Sequence, residues 1–224
     1  MNREIKTLKK DICNELVEIK GGKMKGIITK TVGGFFFVAD DDNKIHKTII
    51  RGKIQKEVFP GDYVEFYVNE DIEEKVIEKI YPRDNMLKRP KIANVNQVII
   101  MQSFKEPPFD QRLLDRFLIM AESKEIRPMI VLNKSDLIEN DVNMIYNVYN
   151  KTDYELFPIS VKNNQGLNKL LKKLTGSINV LAGPSGVGKT SLINQLIPDA
   201  DLPVKAVSKN IKRNLSCFIQ APNY

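Results

Sequence analysis

The sequence predicts two fold classes in succession: an N-terminal all-β barrel of the OB type, then an α/β domain built on a parallel sheet. Three observations carry this. From Met24 to Ile80 the apolar residues recur with a period of two, in short runs separated by Gly, Pro, Asp and Asn. From Val95 onward, apolar runs alternate with stretches of helical spacing. Near the end, Gly183-Pro184-Ser185-Gly186-Val187-Gly188-Lys189-Thr190 stands between an apolar run and a helix start.

Composition sets the outer limits. The 224 residues are 42% hydrophobic, enough for two small cores. A net charge of +7 favours a polyanionic partner, a solvated basic surface being the other reading. Cys13 and Cys217 lie far apart with no metal-ligand spacing, which suggests reduced thiols, and His46 has no second histidine for metal work. The longest apolar runs, such as Val98–Met101 and Met129–Leu132, are too short to span a bilayer, and the N-terminus alternates charge with apolar residues. The expectation is a soluble, cytoplasmic monomer.

In chain order, residues 1–23 form an extension. Ile5, Leu8, Ile12, Leu16 and Ile19 share a helical face, whereas Gly21-Gly22 disconnects the segment and makes Met24 an alternative start. Residues 24–82 hold five strand-like runs: Lys25–Lys30, Phe35–Ala39, Lys44–Ile50, Tyr63–Val68 and Lys75–Ile80. That number of short strands in so few residues suits an OB-type barrel. Phe35, Phe36 and Phe37 with Lys30, Arg51, Lys53 and Lys56 make a candidate nucleic-acid face, core packing being the other reading of each aromatic. Residues 83–94 read as a basic, turn-rich linker.

Residues 95–213 then alternate. Val95–Met101 is a strand, and Asp110 caps a helix with Leu113, Leu114, Phe117, Leu118 and Ala121 on one face. Pro128–Leu132 is a strand, Asp141–Tyr149 a helix, Glu155–Ile159 a strand, Leu167–Leu174 a helix and Ile178–Ala182 a strand. A parallel sheet of this kind binds ligands at the carboxyl ends of its strands.

Two motifs stand at such ends. Gly183–Thr190 fits G-x-x-x-x-G-K-[ST]: glycines let backbone N–H groups converge on phosphate oxygens, Lys189 reaches the β- and γ-phosphates, and the Thr190 hydroxyl, next to Ser191, ligates Mg²⁺. Asn133-Lys134-Ser135-Asp136 follows a strand with the N-K-x-D spacing that suits guanine. A carboxylate at Asp136 accepts from guanine N1–H and from the exocyclic amine, and adenine offers neither proton. Asn133 serves the O6/N7 edge, and the Lys134 stem lies over the base. Ser160-Val161-Lys162, after the next strand, is similar to an S-A-K element whose backbone donates to guanine O6, with Val in place of Ala.

The order is therefore base motif, base-support motif, phosphate loop, the reverse of the Ras-like order. Together with Met24–Ile28, Arg51-Gly52-Lys53, Gly61-Asp62, Arg83, Asn85, Leu87, Arg89-Pro90, Asn94–Gln97 and Leu113–Leu118, it resembles the circularly permuted GTPases of the ribosome small-subunit-dependent type. The resemblance implies an OB domain on ribosomal RNA, a permuted GTPase core using GTP/GDP and Mg²⁺, and a role in late maturation of the small subunit.

Three departures accompany it. The family's Gly-basic-His-Thr-Thr switch segment is not matched by Asn214-Leu215-Ser216-Cys217-Phe218, no D-x-x-G occurs, and a zinc-binding domain with three cysteines and one histidine has no counterpart. The sequence is thus expected to be the first two-thirds of such a protein, with 214–224 an out-of-frame tail, an unpaired sheet edge, and weak nucleotide binding and hydrolysis. A binding-only chain, holding RNA and nucleotide without turnover, is the competing function. A nucleotide kinase shares the look of the phosphate loop but needs a long chain after it and has no N-K-x-D.

Overall fold

The computed structural model describes residues 21–52, 54, 56–69, 75–88, 90–138, 145, 148–149, 151–196 and 217–220. The expected helix over Ile5–Ile19, most of the expected helix Asp141–Tyr149, Lys53 and the segment 204–213 lie outside these residues. The chain divides into two compact units, residues 1–58 with 63–82, and residues 59–62 with 83–224.

In the first unit, β1 (Gly21–Val32), β2 (Phe35–Ala39), β3 (Ile45–Ile50), β4 (Tyr63–Asn69) and β5 (Lys75–Ile80) close a barrel in the order β1-β2-β3-β5-β4. Closure removes sheet edges. Ile28, Val38, Val64, Phe66 and Ile77 point inward and are wholly buried, with Phe36 packed against them. Asp40, His46 and Lys75 link strands β2, β3 and β5. Asp40 Oδ1 accepts from the Asp42 and Lys44 N–H groups, while Oδ2 lies 2.6 Å from His46 Nε2. Lys75 Nζ lies 2.7 Å from His46 Nδ1. An ammonium only donates, so Nδ1 accepts and Nε2–H donates to Asp40.

The second unit is a five-stranded sheet in the order β10-β9-β8-β11-β12. Here β8 is Gln97–Ser103, β9 Arg127–Asn133, β10 Glu155–Pro158, β11 Ile178–Ala182 and β12 Cys217–Gln220. The first four run parallel; β12 pairs antiparallel with β11. The expected open edge beside β11 is thus corrected, since Cys217–Gln220 supplies backbone partners for its N–H and C=O groups. Every residue of β8 and β11 is buried, as parallel strands covered on both faces require. Helix α1 (Gln111–Glu122) covers one face through Leu114, Phe117, Leu118 and Ala121. On the other face α2 (Leu167–Leu174) and α3 (Lys189–Leu196) pack Leu170, Leu174, Leu192 and Ile193 over Ile99, Met101, Val131 and Leu181.

The segment read as a linker is more ordered than expected. Met86–Lys88 (β6) and Lys91–Ala93 (β7) form an antiparallel hairpin. Asn85 exchanges two side-chain bonds with the Val95 backbone, and the Asn94 amide donates to the Gly61 carbonyl. Arg83 grips the fully buried Asp62 through two bonds, at 2.6 and 2.8 Å. These partners explain why Phe59–Asp62 groups with residues far along the chain. No helix of the described residues is long and apolar enough to cross a membrane.

Candidate functional site

The parallel register brings the three motifs to one edge of the sheet. β9 ends at Asn133, which is 3% exposed. Its Nδ2 donates to the Val187 carbonyl of the loop after β11 (2.8 Å), and its Oδ1 accepts from the Val161 N–H after β10 (3.1 Å). One side-chain amide therefore ties together the base motif, the base-support motif and the phosphate loop. Val161 N–H, expected to face guanine O6, is given to Asn133 here.

Lys134 adopts a left-handed conformation (φ 63°) and turns the chain into a short 3₁₀ turn, Ser135–Leu137, that carries Asp136. The fully buried Ser160 hydroxyl donates to Asp136 Oδ1 at 2.6 Å. That bond, joined by the Lys162 and Lys134 ammonium groups, holds the Asp136 carboxyl below the usual carboxylate range against the opposing pull of burial. Asp136 is an ionised acceptor at neutral pH, aimed and half-buried.

The phosphate loop needs its glycines. Gly183 (φ 145°) and Gly188 (φ 98°) lie where side chains are strained. A Cβ at Gly183 would meet the Met101 carbonyl oxygen at 2.1 Å, and one at Gly188 the Asn133 amide nitrogen at 2.4 Å. Lys189 is 7% exposed, and its ammonium donates to the Gly183 and Pro184 carbonyls at 2.8 and 2.6 Å. Thr190 and Ser191 follow in the first turn of α3, both half-buried, while Ser185 is exposed and Gly186 (φ 84°) turns the loop tip. A buried cation inside a curl of backbone at a helix N-terminus fits a polyphosphate, and the Thr190 hydroxyl fits its Mg²⁺.

On the barrel, strand alternation separates the aromatics that the sequence reading had grouped. Phe36 turns inward. Phe35 and Phe37 turn outward, where Lys30 pairs with Phe37 and Phe37 with Lys47 across β1, β2 and β3. The Lys47 ammonium lies 3.9 Å from the Phe35 ring centre, and Lys30 lies 5.9 Å from that of Phe37. Arg51, expected on this face, is exposed and bonded to Glu78 at 2.6 Å, and Lys56 is exposed. Sequence reasoning missed Lys47, which register alone reveals.

A family model of the RsgA GTPase matches residues 80–214, and one of the RsgA N-terminal domain matches residues 25–75. The chain belongs to the RsgA GTPase family. It is 39% identical over 213 residues to the small ribosomal subunit biogenesis GTPase RsgA of Prochlorococcus marinus (strain NATL2A), covering 87% of this chain and 68% of that protein. The protein of the same name from Geobacillus sp. (strain WCH70) is 40% identical over 196 residues, covering 84% and 66%. The chain thus spans about two thirds of the length of these relatives. Among solved structures it is similar to YjeQ from Thermotoga maritima, with a TM-score of 0.75, 28% identity and coverage of 90% and 75%. It is also similar to YloQ, a circularly permuted GTPase, with a TM-score of 0.71, 33% identity and coverage of 80% and 66%. The RsgA family is one of GTP hydrolases, and the permuted motif order read from the sequence is that of the YloQ fold.

Proposed function

We propose that this RsgA-family chain binds GTP with Mg²⁺ and hydrolyses it to GDP and phosphate in late maturation of the small ribosomal subunit. The observation that carries this is the Asn133 amide, which holds base motif and phosphate loop in one frame. In that frame Asp136 accepts the two protons of the guanine edge, and Asn133 keeps the carboxylate-bearing turn at a fixed distance from the phosphates. Lys189 is a fixed cation facing the β- and γ-phosphates, and Thr190 is the Mg²⁺ ligand. Mg²⁺, when bound, neutralises charge that builds on the phosphate oxygens. Rejection of adenine follows from the unpaired acceptor it would leave at Asp136.

The competing reading is a chain that binds RNA and nucleotide without hydrolysis. Single-turnover phosphate release separates the two: release that Lys189→Ala abolishes supports hydrolysis, and none over hours supports binding alone.

The barrel's outer face contacts ribosomal RNA in this reading, with Phe35 and Phe37 offering ring faces and Lys30 and Lys47 the charges for phosphates. The cytoplasm is its place of action. Co-sedimentation with purified small subunits tests the partner. Binding should fall steeply between 50 and 200 mM salt, on the order of a decade or more for a few phosphate contacts. Lys30→Glu with Lys47→Glu should weaken it without changing nucleotide affinity. Salt-independent binding, or none, contradicts the RNA role.

A further inference from the structure

The loop between β8 and α1 touches the base motif at points that the N-K-x-D pattern does not explain. In the sheet register Ser103, the last residue of β8, lies directly beside Asn133. The next residue continues the pairing, since Phe104 N–H donates to the Asn133 carbonyl at 3.2 Å. Ser103 is fully buried, yet its hydroxyl is not spent on the sheet; it reaches forward and donates to the Pro107 carbonyl at 2.7 Å. That bond folds the loop back over the strand end. Between the two anchors stands Glu106 in a left-handed conformation (φ 55°), and its carbonyl accepts from the Lys134 ammonium.

The chain of contacts runs from Ser103 to the Pro107 carbonyl, to the neighbouring Glu106 carbonyl, to the Lys134 ammonium. Lys134 is the residue of the base motif whose contribution depends most on order. Asn133 and Asp136 have short side chains held by Val187, Val161 and Ser160. A lysine stem has four rotatable bonds and lies flat on a ring only if its far end is tied down; otherwise binding must pay for ordering it.

We propose that Ser103 is a positioning residue of the guanine-nucleotide site. By fixing the Ser103–Pro107 loop it sets the Glu106 carbonyl that captures the Lys134 ammonium, so that the lysine stem is pre-arranged over the purine ring. This rests on the guanine-nucleotide reading of the site. It makes a claim about which part of the base is served: the stem covers a ring face, which guanine and hypoxanthine share, whereas Asp136 serves the edge that distinguishes them.

The test uses the purified 224-residue chain and the dissociation rates of fluorescent GDP and IDP. Ser103→Ala should release both nucleotides about three- to tenfold faster, the worth of one buried hydrogen bond, and by the same factor for each. Ser103→Thr, which keeps the hydroxyl, should restore the parent rates. In a Lys134→Met background Ser103→Ala should have no further effect, because the residue acts through the ammonium. An unchanged rate in Ser103→Ala overturns the proposal. So does an effect that persists in the Lys134→Met background, or one that Thr does not rescue, since either marks general damage to the loop. A changed GDP-to-IDP ratio overturns the assignment to the ring face. If the parent chain binds neither nucleotide, the guanine reading itself falls and this inference with it.

Discussion

Gly188 shows how tightly single residues are constrained here. Its missing side chain leaves room for the Asn133 amide, and that amide in turn holds Val187 and Val161. Gly188→Ala would place a methyl 2.4 Å from Asn133 Nδ2 at a φ of 98° that alanine avoids. We expect a cost of about 1–3 kcal/mol in strain and contacts, and a loss of GDP affinity of at least about tenfold from displacement of Asn133. Equilibrium titration checks the affinity; parent-like GDP binding by the variant would deny Asn133 its bridging role. Motif letters of this kind were legible in the sequence because their chemistry is local. Each of Gly183, Gly188, Lys189 and Asp136 sits within a few residues of the strand end that presents it. Ser103 was not legible, because its partner is a carbonyl and its consequence appears at Lys134, distant in sequence.

At the scale of elements, the strand runs were readable from period-two alternation, but the face each residue takes depends on register. β1 shifts its pairing between Ile28 and Lys30, and that irregularity sets Lys30 opposite Phe37. No count of alternation places Lys47 beside them. The β2–β3 hairpin carries its own test. Bonding to His46, first, and to the Lys44 and Asp42 N–H groups holds the Asp40 carboxyl below the usual carboxylate range, against burial. A carboxyl depressed in the folded state stabilises fully above its unfolded value of about 4, and the contribution is lost as pH falls through its lower folded value. Asp40→Asn should therefore cost about 2 kcal/mol at pH 7 and flatten the acid limb of thermal unfolding followed by circular dichroism. An acid limb as steep as the parent's would mean that other carboxylates govern it. The hairpin β6–β7 was read as linker because Arg89-Pro90 and Asn85 look like turn chemistry. Pro90 does lie in a turn, but the turn closes a paired element, and the residues flanking that element, Arg83 and Asn94, find their partners Asp62 and Gly61 far upstream.

At the scale of the whole molecule, strand order makes the site. β9 and β10 extend the sheet away from β8 on one side, and the chain then returns to lay β11 on the other. At this reversal the carboxyl ends bring base motif and phosphate loop side by side, joined by Asn133, where open parallel sheets bind ligands. Alternation of strand and helix predicted a parallel sheet; it did not predict that Asn133 would span the reversal, nor that Gln97 and Asn179 would pair at the opposite end of β8 and β11. The central claim is that this site reads guanine through Asp136. Its most direct test is titration of the purified chain with fluorescent GDP and ADP, for the parent and for Asp136→Asn. The account predicts GDP binding at least about tenfold tighter than ADP, with that preference collapsing or moving toward xanthosine diphosphate in Asp136→Asn, because one acceptor has become a donor. Equal affinities of the parent for GDP and ADP would contradict it.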